Sequence, residues 1–116
     1  MTKYNAQKTE VDGIVFDSKL ESDRYKQLKL LEQAGEISDL RMQVQFQIFK
    51  GLTLPDGEKL KSRFYVADFM YIDRYHNRWV VEDTKGMETP EFRLKWDYVR
   101  SEYPEYEFRK VTRDMV

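Results

Sequence analysis

Cysteine is absent from the 116 residues. That excludes a disulfide scaffold and any cysteine-based zinc site, and it fits a reducing cytosol. No apolar run approaches the ~20 residues that a membrane-spanning helix needs. The opening Met1-Thr2-Lys3-Tyr4-Asn5 lacks the apolar core of a signal peptide, so the expected compartment is the cytoplasm. A surplus of one charge is missing as well: 20 Lys and Arg stand against 21 Asp and Glu, for a net charge of −1. Such a balance does not advertise nucleic-acid binding, where a basic surplus is usual. Carboxylates gathered around a metal would lower the net charge while a local basic rim still met phosphates. No repeat, low-complexity segment or interdomain linker interrupts the chain. Residues 1–116 are therefore expected to form one domain with a modest core.

The informative stretch is Val80-Val81-Glu82-Asp83-Thr84-Lys85-Gly86. It reads as a short apolar strand ending in two carboxylates, a lysine and a glycine. Alternation puts Asp83 and Lys85 on one face and Glu82 and Thr84 on the other. An acid and a lysine at a strand end are costly to desolvate unless something binds them. A divalent metal with a phosphate would do so, and so would a surface ion pair.

The strand before it narrows the choice. Arg63 to Ile72 alternates, with Phe64, Val66, Asp68, Met70 and Ile72 expected on one face. Residues 73–78 form a polar turn. If Asp73 pairs with Arg78, counting back along one strand and forward along the other brings Asp68 opposite Asp83. Directly opposed residues share a face, with Cβ atoms roughly 4.5–5.5 Å apart. Two carboxylates that close repel unless a proton or a cation sits between them. A bound Mg²⁺ is the economical explanation. A one-residue slip in register would part the two acids.

The remaining segments supply a frame. Residues 1–12 are polar and expected as an extended arm, in which Lys3 and Lys8 are candidate backbone contacts or simply a frayed terminus. Val11, Ile14, Val15 and Phe16 flank the Asp12-Gly13 turn as a small hairpin. A helix is expected from about Ser18 to Ala34, capped by Asp17 or Ser18 and stopped by Gly35. Glu21 opens its inner face, which Tyr25 and Leu28 continue. In Ser18-Lys19-Leu20-Glu21 the glutamate either closes a capping box or reaches over the sheet to a metal. Met42 to Phe49 alternates as a strand, with Val44, Phe46 and Ile48 inward. Gln43, Gln45 and Gln47 then face water or a polar ligand, and Gln45 is a candidate nucleic-acid contact. A turn at residues 54–58 links this strand to the next. Thr89-Pro90-Glu91 starts a second helix that runs to about Glu102. It buries Phe92, Trp96, Val99 and Tyr103, and Lys95 on its flank either contacts a phosphate or is an ordinary exposed lysine. Tyr106 to Val111 forms a last strand, expected parallel to the one ending in Lys85. The sum is an α/β fold of order α-β-β-β-α-β, a mixed sheet between helices. His76, the single histidine, is read as a solvated turn residue.

An opening helix with a glutamate, an acid in the second strand and Asp-x-Lys ending the third resemble the PD-(D/E)XK nuclease superfamily. Segments 3–10, 12–21, Tyr-Val-Ala-Asp-Phe (65–69) and Val-Glu-Asp-Thr-Lys-Gly (81–86) look like a family of small phage and prophage proteins assigned to it. The resemblance implies a restriction-endonuclease-like core and Mg²⁺-dependent hydrolysis of nucleic acid phosphodiesters, with Mn²⁺ as substitute. It implies Asp68 and Asp83 as metal ligands, with Glu21 and the Thr84 backbone carbonyl completing the shell. Lys85 becomes the residue that orients the attacking water and stabilises the phosphorane. Ala67 stands where the family name has proline. Glu82 makes the third acid ambiguous, but the x-Lys spacing favours Asp83, and Glu82 is expected to pair with a basic side chain on the opposite face. The expected activity is a DNA endonuclease acting on structured or branched DNA in phage replication or recombination, as a homodimer where two strands are cut. The alternative is a non-catalytic DNA-binding or protein-interaction module on the same fold.

Overall fold

The computed structural model describes residues 7–116. A short antiparallel hairpin, β1 (Thr9–Val11) and β2 (Ile14–Phe16), turns at Asp12-Gly13 and leads into α1 (Lys19–Gln33). The extended arm expected through residue 12 therefore gives way to paired strand by Thr9. Helix α1 begins where expected because Ser18 Oγ accepts from the Glu21 N–H at 3.1 Å. It ends where Gly35 takes a left-handed φ of +80°, which glycine adopts without a Cβ penalty.

Next come β3 (Ile37–Phe49), the small pair β4 (Leu52–Thr53) and β5 (Lys59–Leu60), β6 (Arg63–Asp73) and β7 (Arg78–Thr84). Helix α2 (Pro90–Glu102) and β8 (Glu107–Val111) complete the core, and a short 3₁₀ turn (Arg113–Met115) closes the chain. Thr89 caps α2 through Oγ1, which accepts from the Phe92 N–H at 3.1 Å, and Pro90 occupies the first turn, where no hydrogen bond is lost. Four strands form one mixed sheet in the order β3-β6-β7-β8, antiparallel except for the β7–β8 pair. β3 begins five residues before the expected Met42, because an irregularity at Asp39 (φ +56°) hides the alternation there.

The helices cover opposite faces. Tyr25 and Leu28 of α1 pack with Phe16, Ile37, Phe69, Tyr71 and Val80. Phe92, Trp96 and Val99 of α2 pack with Phe46, Tyr65, Ala67, Met70 and Val81. Adjacent Val80 and Val81 belong to different cores, as period-two geometry requires of a strand covered on both sides. Each fully buried large side chain here contributes about 2–3 kcal/mol.

The expected register holds. β6 and β7 pair as Asp73↔Arg78, Ile72↔Trp79, Tyr71↔Val80, Met70↔Val81 and Phe69↔Glu82. The next step along both strands brings Asp68 opposite Asp83. The expected face pattern of β6, however, fails at one point. Met70 lies on the α2 side together with Tyr65 and Ala67, so Phe64 and Val66 point the other way. The alternation changes sides between Ala67 and Phe69. β3 changes sides at the facing place: Leu40 joins the α1 core, while Val44, Phe46 and Ile48 join the α2 core. Gln43 sits at that switch with φ +53°, between the pairs Met42↔Phe69 and Val44↔Ala67. A left-handed residue inside a strand reverses the pleat, and no hydrophobic pattern announces it.

Among the described residues no helix is long and apolar enough to cross a membrane.

Candidate active site

The β6–β7 ladder ends at Phe69↔Glu82, and the side chains beyond it line a cleft of about 390 Å³. Asp68, Asp83 and Lys85 meet there, with Tyr65 and Phe92 forming the wall beside α2 and Gln43 the wall beside β3. Lys85 Nζ lies 3.5 Å from Asp83 Oδ1 and 4.1 Å from the centroid of the Phe92 ring. Ring and carboxylate together hold the ammonium group at the cleft wall. Tyr65 donates its hydroxyl to Asp83 Oδ2. Asp68 Oδ2 accepts from the Thr84 N–H at 2.9 Å and from Thr84 Oγ1 at 2.8 Å. Both aspartates are thus oriented by neighbouring strand residues rather than left to rotate.

Glu21 approaches from α1. Its backbone completes the Ser18 cap, but no capping box closes: Oε2 accepts from Gln43 Nε2 at 3.2 Å instead. The side chain thus bonds across to β3, and Glu21 is not among the residues that line the cleft of Asp68 and Asp83. Burial, then the negative charge of Asp68, Asp17 and Asp83, raises the Glu21 carboxyl to about 8. Burial and Asp68 raise Asp83 to about 7, against the lowering effects of the Tyr65 hydrogen bond and Lys85. Burial and the Asp83 charge push Tyr65 up, so it remains a phenol donor.

These carboxylates repel one another, and hard oxygen donors at a repelling cluster fit Mg²⁺ or Mn²⁺ in chemical type. The fit in position is partial. Among the described residues no three acidic or histidine side chains form a closed metal-ligand set. Asp68 and Asp83 adjoin, while Glu21 on α1 feels their charge without joining them in the cleft.

The remaining expected contacts are scattered. Lys95 does lean into the cleft, where it pairs with Glu91 at 3.0 Å. Lys8 stands 3.9 Å from Asp17, with both side chains exposed. Gln45 is exposed on β3 opposite Val66 and does not line the cleft; Gln43, two residues earlier, does. Lys3 lies outside the described residues. Glu82 points to the α1 side as expected: Arg24 grips it through Nε at 2.8 Å and Nη2 at 2.6 Å, and Tyr71 donates to Oε2. His76 is exposed in the β6–β7 turn, with Nδ1 2.8 Å from Asp73 Oδ2.

Sequence reasoning did not find Tyr65 or Phe92 as site residues, and among the glutamines that could face a polar ligand it singled out Gln45 rather than Gln43. Phe92 was legible only as part of a buried helix stripe and Tyr65 only as part of the 65–69 motif, and nothing in the composition around Gln43 signals a left-handed backbone.

The chain belongs to the family described as "Protein of unknown function (DUF1064)", whose model matches residues 1–115. No curated protein and no solved structure matches it.

Proposed function

We propose that this protein is a divalent-metal-dependent DNA endonuclease with a restriction-endonuclease-like core. The carrying observation is the meeting of Asp68 and Asp83 at one sheet end, with the Lys85 ammonium 3.5 Å from Asp83. The α-β-β-β-α-β order and the opening-helix glutamate support the same reading. Asp68, Asp83 and the Thr84 carbonyl would hold Mg²⁺ or Mn²⁺, with Glu21 closing the shell from α1. The bound ion would polarise the scissile phosphate and lower the pKa of water.

The chain's own groups do the rest. Tyr65 and Thr84 fix the two aspartates. Lys85, positioned by Asp83 and Phe92, orients the attacking water and stabilises charge developing on the phosphorane. Asp83 and Glu21 ionise once a cation offsets their burial and the charge of Asp68 beside them. Lys95, at the cleft rim, meets the phosphate backbone. Structured or branched DNA of a phage cycle is the proposed substrate and the bacterial cytoplasm the proposed compartment. A homodimer would supply two cuts.

The rival reading is a non-catalytic module that keeps the fold. It draws on the lack of a closed three-carboxylate set among the described residues. The test is nicking of supercoiled plasmid by purified protein in Mn²⁺ or Mg²⁺. Wild type should nick, and Lys85→Ala should lose about 10²–10³-fold in rate, as loss of a charge-stabilising donor does elsewhere. Equal behaviour of the two proteins would sink the catalytic reading.

A further inference from the structure

Beyond Asp68 and Gln43 the sheet narrows to two strands. β3 and β6 continue from Val44↔Ala67 to Phe49↔Arg63 without β7, and β4 and β5 extend the ribbon to the turn at 54–58. Gly51 makes the junction, with φ +80°. A Cβ there would fall 2.5 Å from the Leu60 carbonyl oxygen, so only glycine lets the two ladders meet. Gln43 to Leu54 is at most roughly 36 Å of extended chain, about one turn of a nucleic acid duplex.

The charge on this ribbon differs from that on the rest of the surface. Lys50, Lys59, Lys61 and Arg63 fall within residues 50–63, all are exposed, and none has a carboxylate within 4.0 Å among the described residues. Elsewhere among the described residues only Lys26, Arg41 and Arg74 lack such a partner, and Arg41 lies over the Trp79 ring. Ion pairing has neutralised most cations of a chain whose net charge is −1, but not these four. Asp56 and Glu58 at the turn are the ribbon tip's only acids.

We infer that this ribbon is a nucleic-acid grip: Lys50, Lys59, Lys61 and Arg63 contact the phosphates of a duplex running from the cleft along the ribbon. The β4–β5 end of the ribbon is two strands wide, a girth that a major groove admits. The inference rests on the nuclease reading only for the direction in which the duplex leaves the cleft. It explains how a chain without a basic surplus could hold a polyanion, since the cations are concentrated in one place rather than numerous.

The experiment is fluorescence anisotropy with a labelled 30-base-pair DNA duplex, in chelator so that binding is separated from cleavage, at several salt concentrations. The proteins are wild type, the quadruple variant Lys50→Ala/Lys59→Ala/Lys61→Ala/Arg63→Ala, and Glu58→Gln, with folding verified by circular dichroism. Four lost phosphate contacts should flatten the salt slope by about 3.6, so the affinity that wild type loses between 50 and 200 mM salt should shrink by roughly 100-fold. Glu58→Gln, which removes one acid from the tip, should bind several-fold more tightly than wild type. Undetectable binding by wild type, or a quadruple variant with unchanged affinity and slope, overturns the grip. Ribbon-dependent binding without any cleavage would retain the grip and reject the nuclease. Cleavage with ribbon-independent binding would do the reverse.

Discussion

Gln43 faces Asp68 across the β3–β6 ladder, and both strands change faces at that pair. The switch joins two regimes of one sheet. On the β7 side of it the sheet is four-stranded and covered by both helices. Past it run the cleft and a two-stranded ribbon whose near half keeps one face against α2. Sparsely populated backbone angles cluster at functional sites, and the left-handed φ at Gln43 agrees with the proposed one.

Gln43→Gly separates the two tasks of that residue. Glycine accepts φ +53° without the ~1–2 kcal/mol that a Cβ costs there. It also removes the donor to Glu21 Oε2. The variant should match or exceed wild type by up to about 1 kcal/mol in urea unfolding, while plasmid nicking falls about tenfold or more. Gln43→Ala keeps the strain and loses the bond, so it should be the less stable of the two. A glycine variant that is both less stable and fully active would refute the assignment of strain to this site.

Tyr65→Phe tests the orientation of Asp83. The phenol donates to Asp83 Oδ2 and helps hold its carboxyl down against burial. Without it the carboxylate keeps Lys85 alone, and its affinity for protons rises. Loss of one hydrogen bond to a charged group costs about 1.5–3 kcal/mol. Calorimetric titration with Mg²⁺ at pH 7 should show binding weakened about tenfold, with the aromatic core intact by near-ultraviolet dichroism. Unchanged Mg²⁺ affinity would place the metal elsewhere.

The raised carboxyls give stability a direction with pH. Glu21 near 8 and Asp83 near 7 hold protons in the folded state that an unfolded chain has released above its ordinary carboxylate range. Between about pH 4.5 and 8 the folded state therefore binds more protons, and the contribution of these two groups falls as pH rises. Asp23 and Asp73, lowered by Arg113 and His76, work in the opposite sense but are only half-buried and already ionised by about pH 5. Metal-free protein should lose Tm from pH 5.5 to 8. Saturating Mg²⁺ should raise Tm by several degrees at pH 8 and by little at pH 5.5. A Mg²⁺ effect that is independent of pH would detach the metal from these acids.

How much of this was legible beforehand follows from which interactions are local. Helix ends were, because Ser18, Gly35, Thr89 and Pro90 act within one turn. The β6–β7 register was, because Asp73 and Arg78 close a short turn and the count then runs to Asp68 and Asp83. The mixed sheet between two helices followed from the same periods. The face of Phe64 and Val66 was not legible, since it is set by a backbone angle at Gln43 on another strand. The ribbon's charge was not either: Lys50 and Arg63 look ordinary until ion pairing elsewhere is known.

Glu82 offers the sharpest contrast with its neighbour Asp83. One residue away and on the opposite face, it is fully buried among Arg24, Tyr71 and Arg109. Arg24 grips it with two nitrogens, at 2.8 and 2.6 Å, from a side chain that is itself nearly buried. This pair ties α1 to β7, one helical turn beyond Glu21. Removing one partner of a buried pair leaves an uncompensated charge, at a cost of about 3–5 kcal/mol. Arg24→Leu should therefore lower urea stability by about that much, and Glu82→Leu similarly. The double variant should be less destabilised than the two singles added together, because neither charge is stranded. Strict additivity would show that the pair is not coupled, and that α1 is held against the sheet by its apolar face alone.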